Sequence, residues 1–179
     1  MNIWANTVMT QKGLALQTKL IEGTTLQITR AVTGTGFVTP GLLNQQTAVS
    51  GEKQALSFRP VTYPEEGKCA LTMKLGNDDL TEGYMATQVG VYAMDPDEGE
   101  IVYFISQAPS ANKGVEIPAA QESPGYTAEW TFYVQYGQAD EVTVMVDQTG
   151  TVSREEMENY INQRFVAITN EQIDAILEA

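Results

Sequence analysis

The sequence predicts an α+β domain: a mostly antiparallel β-sheet body with an N-terminal helix, extended by C-terminal helices. Three observations predict it. Apolar residues recur at helical spacing mainly near the two ends of the chain, whereas the long middle mostly alternates apolar with polar residues. Clusters of Pro, Gly and Asp punctuate that middle at short intervals, as hairpins require. A hydrophobic content of 42% against 18% charged residues lets a chain of 179 residues bury one ordinary core and carry an appendage. The expected division is 1–150 for the body and 151–179 for the appendage.

Thr10 stands as a helix N-cap, and Met9, Gly13, Leu16 and Leu20 recur at offsets of four, three and four, with Leu14 and Ile21 widening the stripe. That helix closes at Glu22-Gly23. From residue 24 to 32 the period becomes that of a strand through Leu26 and Ile28, until Gly34-Thr35-Gly36 breaks it. Pro40-Gly41-Leu42-Leu43 opens a short helical turn. Residues 54–63 and 68–75 read as strands joined by Pro64-Glu65-Glu66-Gly67, the second with Leu71, Met73 and Leu75 on one face and Thr72 and Lys74 on the other.

The clearest hairpin pairs residues 84–94 with 100–107 around Asp95-Pro96-Asp97-Glu98-Gly99. Residues 108–126 are polar and broken by Pro and Gly, so they read as a long surface loop. Residues 128–136 alternate with Ala128, Trp130, Phe132, Val134 and Tyr136 on one face, and 141–147 repeat the pattern through Val142, Val144 and Val146. Ser153 and Glu156 form a capping box that opens a helix through residue 164, and Thr169 with Gln172 caps a second over 170–177. Neither helix is long enough to stand alone. Each must dock on the body or on another chain.

The net charge of −13 is unevenly distributed. Residues 1–63 carry five basic and two acidic side chains (+3), 64–149 carry three and fifteen (−12), and 150–179 carry two and six (−4). An acidic middle without a basic stripe repels phosphate backbones and anionic lipid, which excludes nucleic acid and membrane surfaces as expected partners. No apolar run reaches the length of a membrane helix, and the N-terminus has no secretory pattern, so synthesis in the cytoplasm is expected. The absence of histidine removes histidine-based triads and general bases. The one cysteine, Cys69, lies in the strand-like run KCALTMKL and reads as an inert buried thiol.

Several constellations invite a chemical reading. Gly34-Thr35-Gly36 follows a strand as a phosphate loop does, but Phe37-Val38-Thr39-Pro40 supplies neither the lysine nor the helix such a loop needs. The glycines are therefore expected to give the backbone conformations closed to other residues. Asp95, Asp97, Glu98 and Glu100 place four carboxylates within six residues, a weak calcium candidate whose spacing is not that of an EF-hand. Neither Asp78-Asp79 nor Glu65-Glu66 makes a better one, because adjacent carboxylates diverge. Carboxylate pairs could run glycoside hydrolysis, yet nothing in the sequence selects a pair, and no enzyme and no cofactor is expected. Tyr133 lies on the opposite face of its strand from Trp130 and is the one aromatic placed for contact with a sugar ring.

The order of these elements carries a resemblance. The capped helix with Thr10, Gly13 and Leu16, then Leu26-Gln27-Ile28-Thr29 running into Gly34-Thr35-Gly36, resembles the start of the tail-collar fibre family of bacteriophages. Gln88-Val89-Gly90-Val91-Tyr92-Ala93 before the Asp95 to Gly99 turn, with Ile101-Val102-Tyr103 after it, is similar to that family's central hairpin. Val142-Thr143-Val144-Met145-Val146-Asp147, then Thr151-Val152 and a helix with Tyr160, is similar to its closing strand and exit helix.

The resemblance covers about residues 5–165. It implies a structural component of a virion or phage-tail-like particle, made in the bacterial host cytoplasm, that joins a fibre or receptor-binding element to the baseplate. Baseplate and tail-fibre proteins would be its partners, in a homo-oligomer for which a trimer is favoured. In the family a much longer fibre follows, which leaves a short adaptor, a shortened chain and a partner-supplied fibre as alternatives here. The expected partner-binding residues are Met157, Tyr160, Ile161, Ile173, Ile176 and Leu177, with Tyr133 as the glycan contact if the domain is instead a carbohydrate-binding module.

Overall fold

The computed structural model describes Trp4 and residues 6–22, 25–135 and 142–144. In chain order the elements are β1 (Asn6–Met9), α1 (Gln11–Ile21), β2 (Leu26–Gly34), a 3-10 turn (Pro40–Gln45), β3 (Glu52–Phe58), β4 (Thr62–Glu65), β5 (Lys68–Gly76), β6 (Tyr84–Ala86), β7 (Gln88–Asp95), β8 (Gly99–Gln107), β9 (Val115–Ile117), β10 (Thr127–Gln135) and β11 (Val142–Val144). The chain divides into the units Met1–Val146 and Asp147–Ala179. The second unit, with the expected helices over 153–164 and 170–177, lies outside the described residues.

The body is mostly antiparallel sheet, as expected, and the sheet is curled. Its nine strands run β1-β8-β7-β2-β3-β5-β10, with β4 added beside β5 and β11 beside β2, while β6 and β9 form a separate ribbon. Every pairing is antiparallel except β11 on β2, which is parallel in the register Val142↔Leu26 to Val144↔Ile28. Six antiparallel steps separate β1 from β10, so these two end strands run in the same direction.

Alternation gives the curled sheet two apolar faces. Leu16 and Leu20 of α1 pack into one large cluster with Ile28, Val91, Tyr103, Leu71, Met73 and Phe132, all buried. A second cluster of Val32, Leu43, Val49, Tyr92, Val102 and Ile105 lies on the other face of β2, β7 and β8, where the connection 35–51 covers it.

Thr10 decides where strand becomes helix. Its backbone is extended (φ −72°, ψ 165°) and its hydroxyl accepts from the Gly13 amide at 2.9 Å, the N-cap the sequence predicts. Its own amide donates to the Tyr103 carbonyl at 3.1 Å. That carbonyl is available because the β7–β8 register steps from Val91↔Phe104 to Tyr92↔Val102, which makes Tyr103 the extra residue of a bulge. The Thr10 hydroxyl also donates to the Val102 carbonyl.

Several sequence expectations need correction. Met9 belongs to β1, opposite Phe104, rather than to the helical stripe, because the chain before Thr10 pairs with β8. The expected strand over 54–63 is interrupted after Phe58, where Pro60 lacks a donor, and resumes as β4. Residues 84–94 divide at Thr87 into β6 and β7, and the loop 108–126 contains β9, paired to β6. The hairpin tip is as expected, with Gly99 in the left-handed region at φ 80°.

Candidate functional site

The acidic hairpin tip is an anchor for α1. Lys19 Nζ donates to both carboxylate oxygens of Asp95, at 2.7 and 2.9 Å, and to Asp97 at 2.7 Å, while Lys12 Nζ pairs with Glu98. Asp95 is buried and also accepts from the amides of Asp97 (2.8 Å) and Glu98 (3.0 Å). Burial pushes the Asp95 pKa up, but the ammonium and the two amides outweigh it and hold the carboxyl below its ordinary value of 3.8. The hydrogen bonds to Asp95 and then Asp97 raise the Lys19 pKa in turn.

Glu100 faces away from this group. It accepts from Thr29 (2.7 Å) and from Arg30 (3.0 Å), whose guanidinium also reaches Glu52 and lies 3.8 Å from the centre of the Tyr92 ring. Burial opposes the charge on both Glu100 and Arg30, and the pairing outweighs it, lowering the one pKa and raising the other. The calcium candidate is therefore corrected: its four carboxylates divide among Lys19, Lys12 and Arg30 instead of converging on one point. No group of three or more potential metal ligands forms among the described residues.

The glycine corner is held by close approach. A Cβ on Gly34 would lie 2.4 Å from Val49 Cγ1 and 2.5 Å from the Ser50 carbonyl oxygen, and one on Gly36 would lie 2.0 Å from Ser50 Oγ. Neither glycine has positive φ, so the expected conformational role is replaced by a steric one. Gly36 N donates to Ser50 O at 2.8 Å, and Thr87 Oγ1 closes the corner on the Gly36 carbonyl at 2.6 Å. Beneath it, buried Gln88 and Gln107 join β7 to β8 by side chains, Nε2 to Oε1 at 2.7 Å. Gln107 also donates to Val38 O (2.8 Å) and accepts from Val38 N (3.0 Å), while Gln88 accepts from Ser50 N (2.9 Å).

Where the curled sheet brings its two ends together, side chains meet without a strand ladder among the described residues. Trp4 and Trp130 stand edge to face at 5.4 Å and 89°, and the Phe104 and Phe132 rings lie 5.5 Å apart. Beside them is a groove of about 260 Å³ lined by Thr7, Met9, Gln17, Phe104, Phe132, Tyr133 and Val134. Tyr133 is 65% exposed at its rim, with Lys68 Nζ 5.9 Å from the ring centre. The placement of Tyr133 outside and Phe132 and Val134 inside follows the sequence alternation. The groove itself was not legible, because its walls come from β1 and α1 near the start of the chain and from β8 and β10, about a hundred residues later.

Cys69 is fully buried, and desolvation raises its thiol to about 11, which makes it an inert core residue at neutral pH. Met157, Tyr160, Ile161, Ile173, Ile176 and Leu177 lie outside the described residues. No described helix is long and apolar enough to cross a membrane. Comparison with protein-family models, with curated proteins and with solved structures finds no match to this chain.

Proposed function

We propose that the domain is a structural attachment module of a phage tail or phage-tail-like particle, joining a fibre or receptor-binding element to the baseplate. The observation that supports this reading best is where the residues of the tail-collar resemblance sit. Thr10 and Gly13 seat α1 on the Tyr103 bulge, Gly34 and Gly36 form the tight corner against Ser50, and Gln88 ties the central hairpin to the connection 35–51. They are framework residues, each spent on locking one segment to the next. A rigid mount for a fibre needs such segment-locking contacts, and the reading needs no covalent chemistry and no cofactor.

Attachment itself is assigned to the C-terminal stripes around Met157, Tyr160 and Ile161 and around Ile173, Ile176 and Leu177, with baseplate and tail-fibre proteins as partners. Particles made with a chain lacking 167–179 test it. The shortened chain should fold, with its far-UV spectrum kept, and be missing from purified particles; full incorporation overturns the reading.

A second reading rests on a separate observation, the exposed Tyr133 ring at the rim of the groove beside Phe132 and Val134. An aromatic face next to a cleft is the chemistry of a carbohydrate-binding module that contacts the host surface. Binding of the isolated protein to a glycan array, lost in Tyr133→Ala, supports this reading, and silence on the array removes it.

A further inference from the structure

Of the prolines in the chain, Pro96 alone follows an aspartate. That order carries its own chemistry. An aspartate carboxylate can reach its own peptide carbon, closing a small ring through Oδ, Cγ, Cβ, Cα and the carbonyl carbon, and such intramolecular attack is strongly favoured by proximity. The following nitrogen departs only if it takes a proton, and the doubly alkylated nitrogen of proline takes one more readily than other peptide nitrogens. Acid and an ionised, unoccupied carboxylate are both required.

The structure keeps these two requirements apart. Pro96 is exposed, so solvent protons reach it, whereas the Asp95 carboxylate is buried. Oδ1 accepts from Lys19 Nζ at 2.7 Å and from the amides of Asp97 at 2.8 Å and Glu98 at 3.0 Å, and Oδ2 accepts from Lys19 Nζ at 2.9 Å. A carboxylate offers about four lone-pair sites, and these contacts take them all. The amide contacts belong to the turn itself, but both ammonium contacts come from α1. The other charged groups of the tip are engaged elsewhere: Asp97 with the same Lys19, Glu98 with Lys12, and Glu100 with Arg30. Release of Lys19 therefore frees Oδ2, with no second cation among these groups to take its place.

We propose that the bond between Asp95 and Pro96 is a latent self-cleavage site, closed while Lys19 of α1 holds the Asp95 carboxylate and opened when α1 lets go in acid. In the reaction a bond forms from Asp95 Oδ to the Asp95 carbonyl carbon as the bond to the protonated Pro96 nitrogen breaks. The electron pair of the broken bond stays on that nitrogen, which leaves as a secondary amine. Water then opens the cyclic anhydride, its hydroxyl going to one carbonyl carbon and its remaining proton to the departing oxygen, so Asp95 ends with two carboxyl groups. Nothing is oxidised or reduced. The pieces 1–95 and 96–179 stay associated, because β7 pairs with β8 from Gln88↔Gln107 to Asp95↔Gly99 and with β2 along its other edge. An irreversible change in the hairpin is thereby tied to the seating of the helix. The proposal stands independently of the attachment reading.

Mass spectrometry of the full chain tests it, after incubation at the lowest pH at which wild type and Lys19→Met both keep their far-UV spectra. Lys19→Met should yield 1–95 and 96–179 several-fold faster than wild type, while Lys19→Arg, which keeps a cation beside Asp95, should be as slow as wild type. In urea at the same pH, where no helix is seated, wild type and Lys19→Met should cleave at one common rate, which separates loss of the ammonium from loss of the fold. Pro96→Ala should lose the cleavage in both conditions. Equal rates for folded wild type and folded Lys19→Met overturn the proposal, as do an intact chain in urea, cleavage that survives Pro96→Ala, and fragments that end at another bond.

Discussion

Gln88 and Gln107 are both fully buried and joined by a single 2.7 Å hydrogen bond, and together they hold the backbone of a connection that belongs to neither strand. The further partners of this pair are main-chain groups of Val38 and Ser50 and the side chain of Gln46, so its removal orphans donors and acceptors instead of merely deleting volume. Gln107→Leu should cost about 2–4 kcal/mol, the sum expected from leaving two or so buried polar groups unmet. Urea unfolding with an unchanged m-value measures it, and amide exchange should quicken at Val38 before it does in β5.

Gly13→Ala has an expected sign opposite to that of helix propensity. Alanine in a helix interior is favoured over glycine by about 1 kcal/mol. Here its Cβ would stand 2.1 Å from the Tyr103 carbonyl oxygen, so α1 must lift from β8. A net loss of about 1–3 kcal/mol is expected, as for other overpacked sites. Gly41→Ala, with nothing within 4 Å of its Cβ, serves as the neutral control in the same thermal unfolding series.

Asp95 makes the anchor of α1 acid-labile. Its pKa is lowered in the folded protein, so the stability it contributes is fully present above the ordinary carboxylate value of 3.8 and is lost as the pH falls through the lower, folded value. Between pH 7 and pH 3, wild type should therefore lose more stability than Asp95→Asn. Unfolding midpoints of the two proteins across that range measure the difference, which should shrink on the acid side. A constant gap would show that Asp95 acts by shape alone.

Tyr103 is fully buried and its hydroxyl has no hydrogen-bond partner among the described residues. Burial, with a smaller contribution from Cys69, pushes its pKa well above the ordinary 10.0. Tyr103→Phe removes an unmet polar group while keeping the ring. It should leave stability unchanged or raise it by about 1 kcal/mol, against the usual loss for a core substitution. Denaturant midpoints decide the sign.

What the sequence discloses depends on how far apart the cooperating residues lie. α1 was legible because Thr10, the amide it caps and the stripe through Leu16 and Leu20 all fall within eleven residues. The β7–β8 hairpin and the alternation of β10 were legible for the same reason. β1 was not, since Asn-Thr-Val-Met has no strong period of its own and becomes a strand only because β8 offers an edge about a hundred residues later. The carboxylates of the hairpin tip suggested a cation of the wrong kind: the cations are Lys12, Lys19 and Arg30, invisible to local spacing. The glycines of the corner suggested unusual backbone conformations, whereas what requires them is close approach, with Val49 and Ser50 packed against them.

The parallel strand β11 determines how the body would bear load. Tension arriving from the residues after Val144 and drawn along that strand reaches β2 first, and it loads the hydrogen bonds of the short ladder together, in shear, instead of one at a time. β2 is bonded to three strands, to β7 along one edge and to β11 and β3 along the other. Three residues of parallel pairing thus pass a pull applied at Val144 to a strand in the middle of the sheet, bypassing the side-chain seam between β1 and β10.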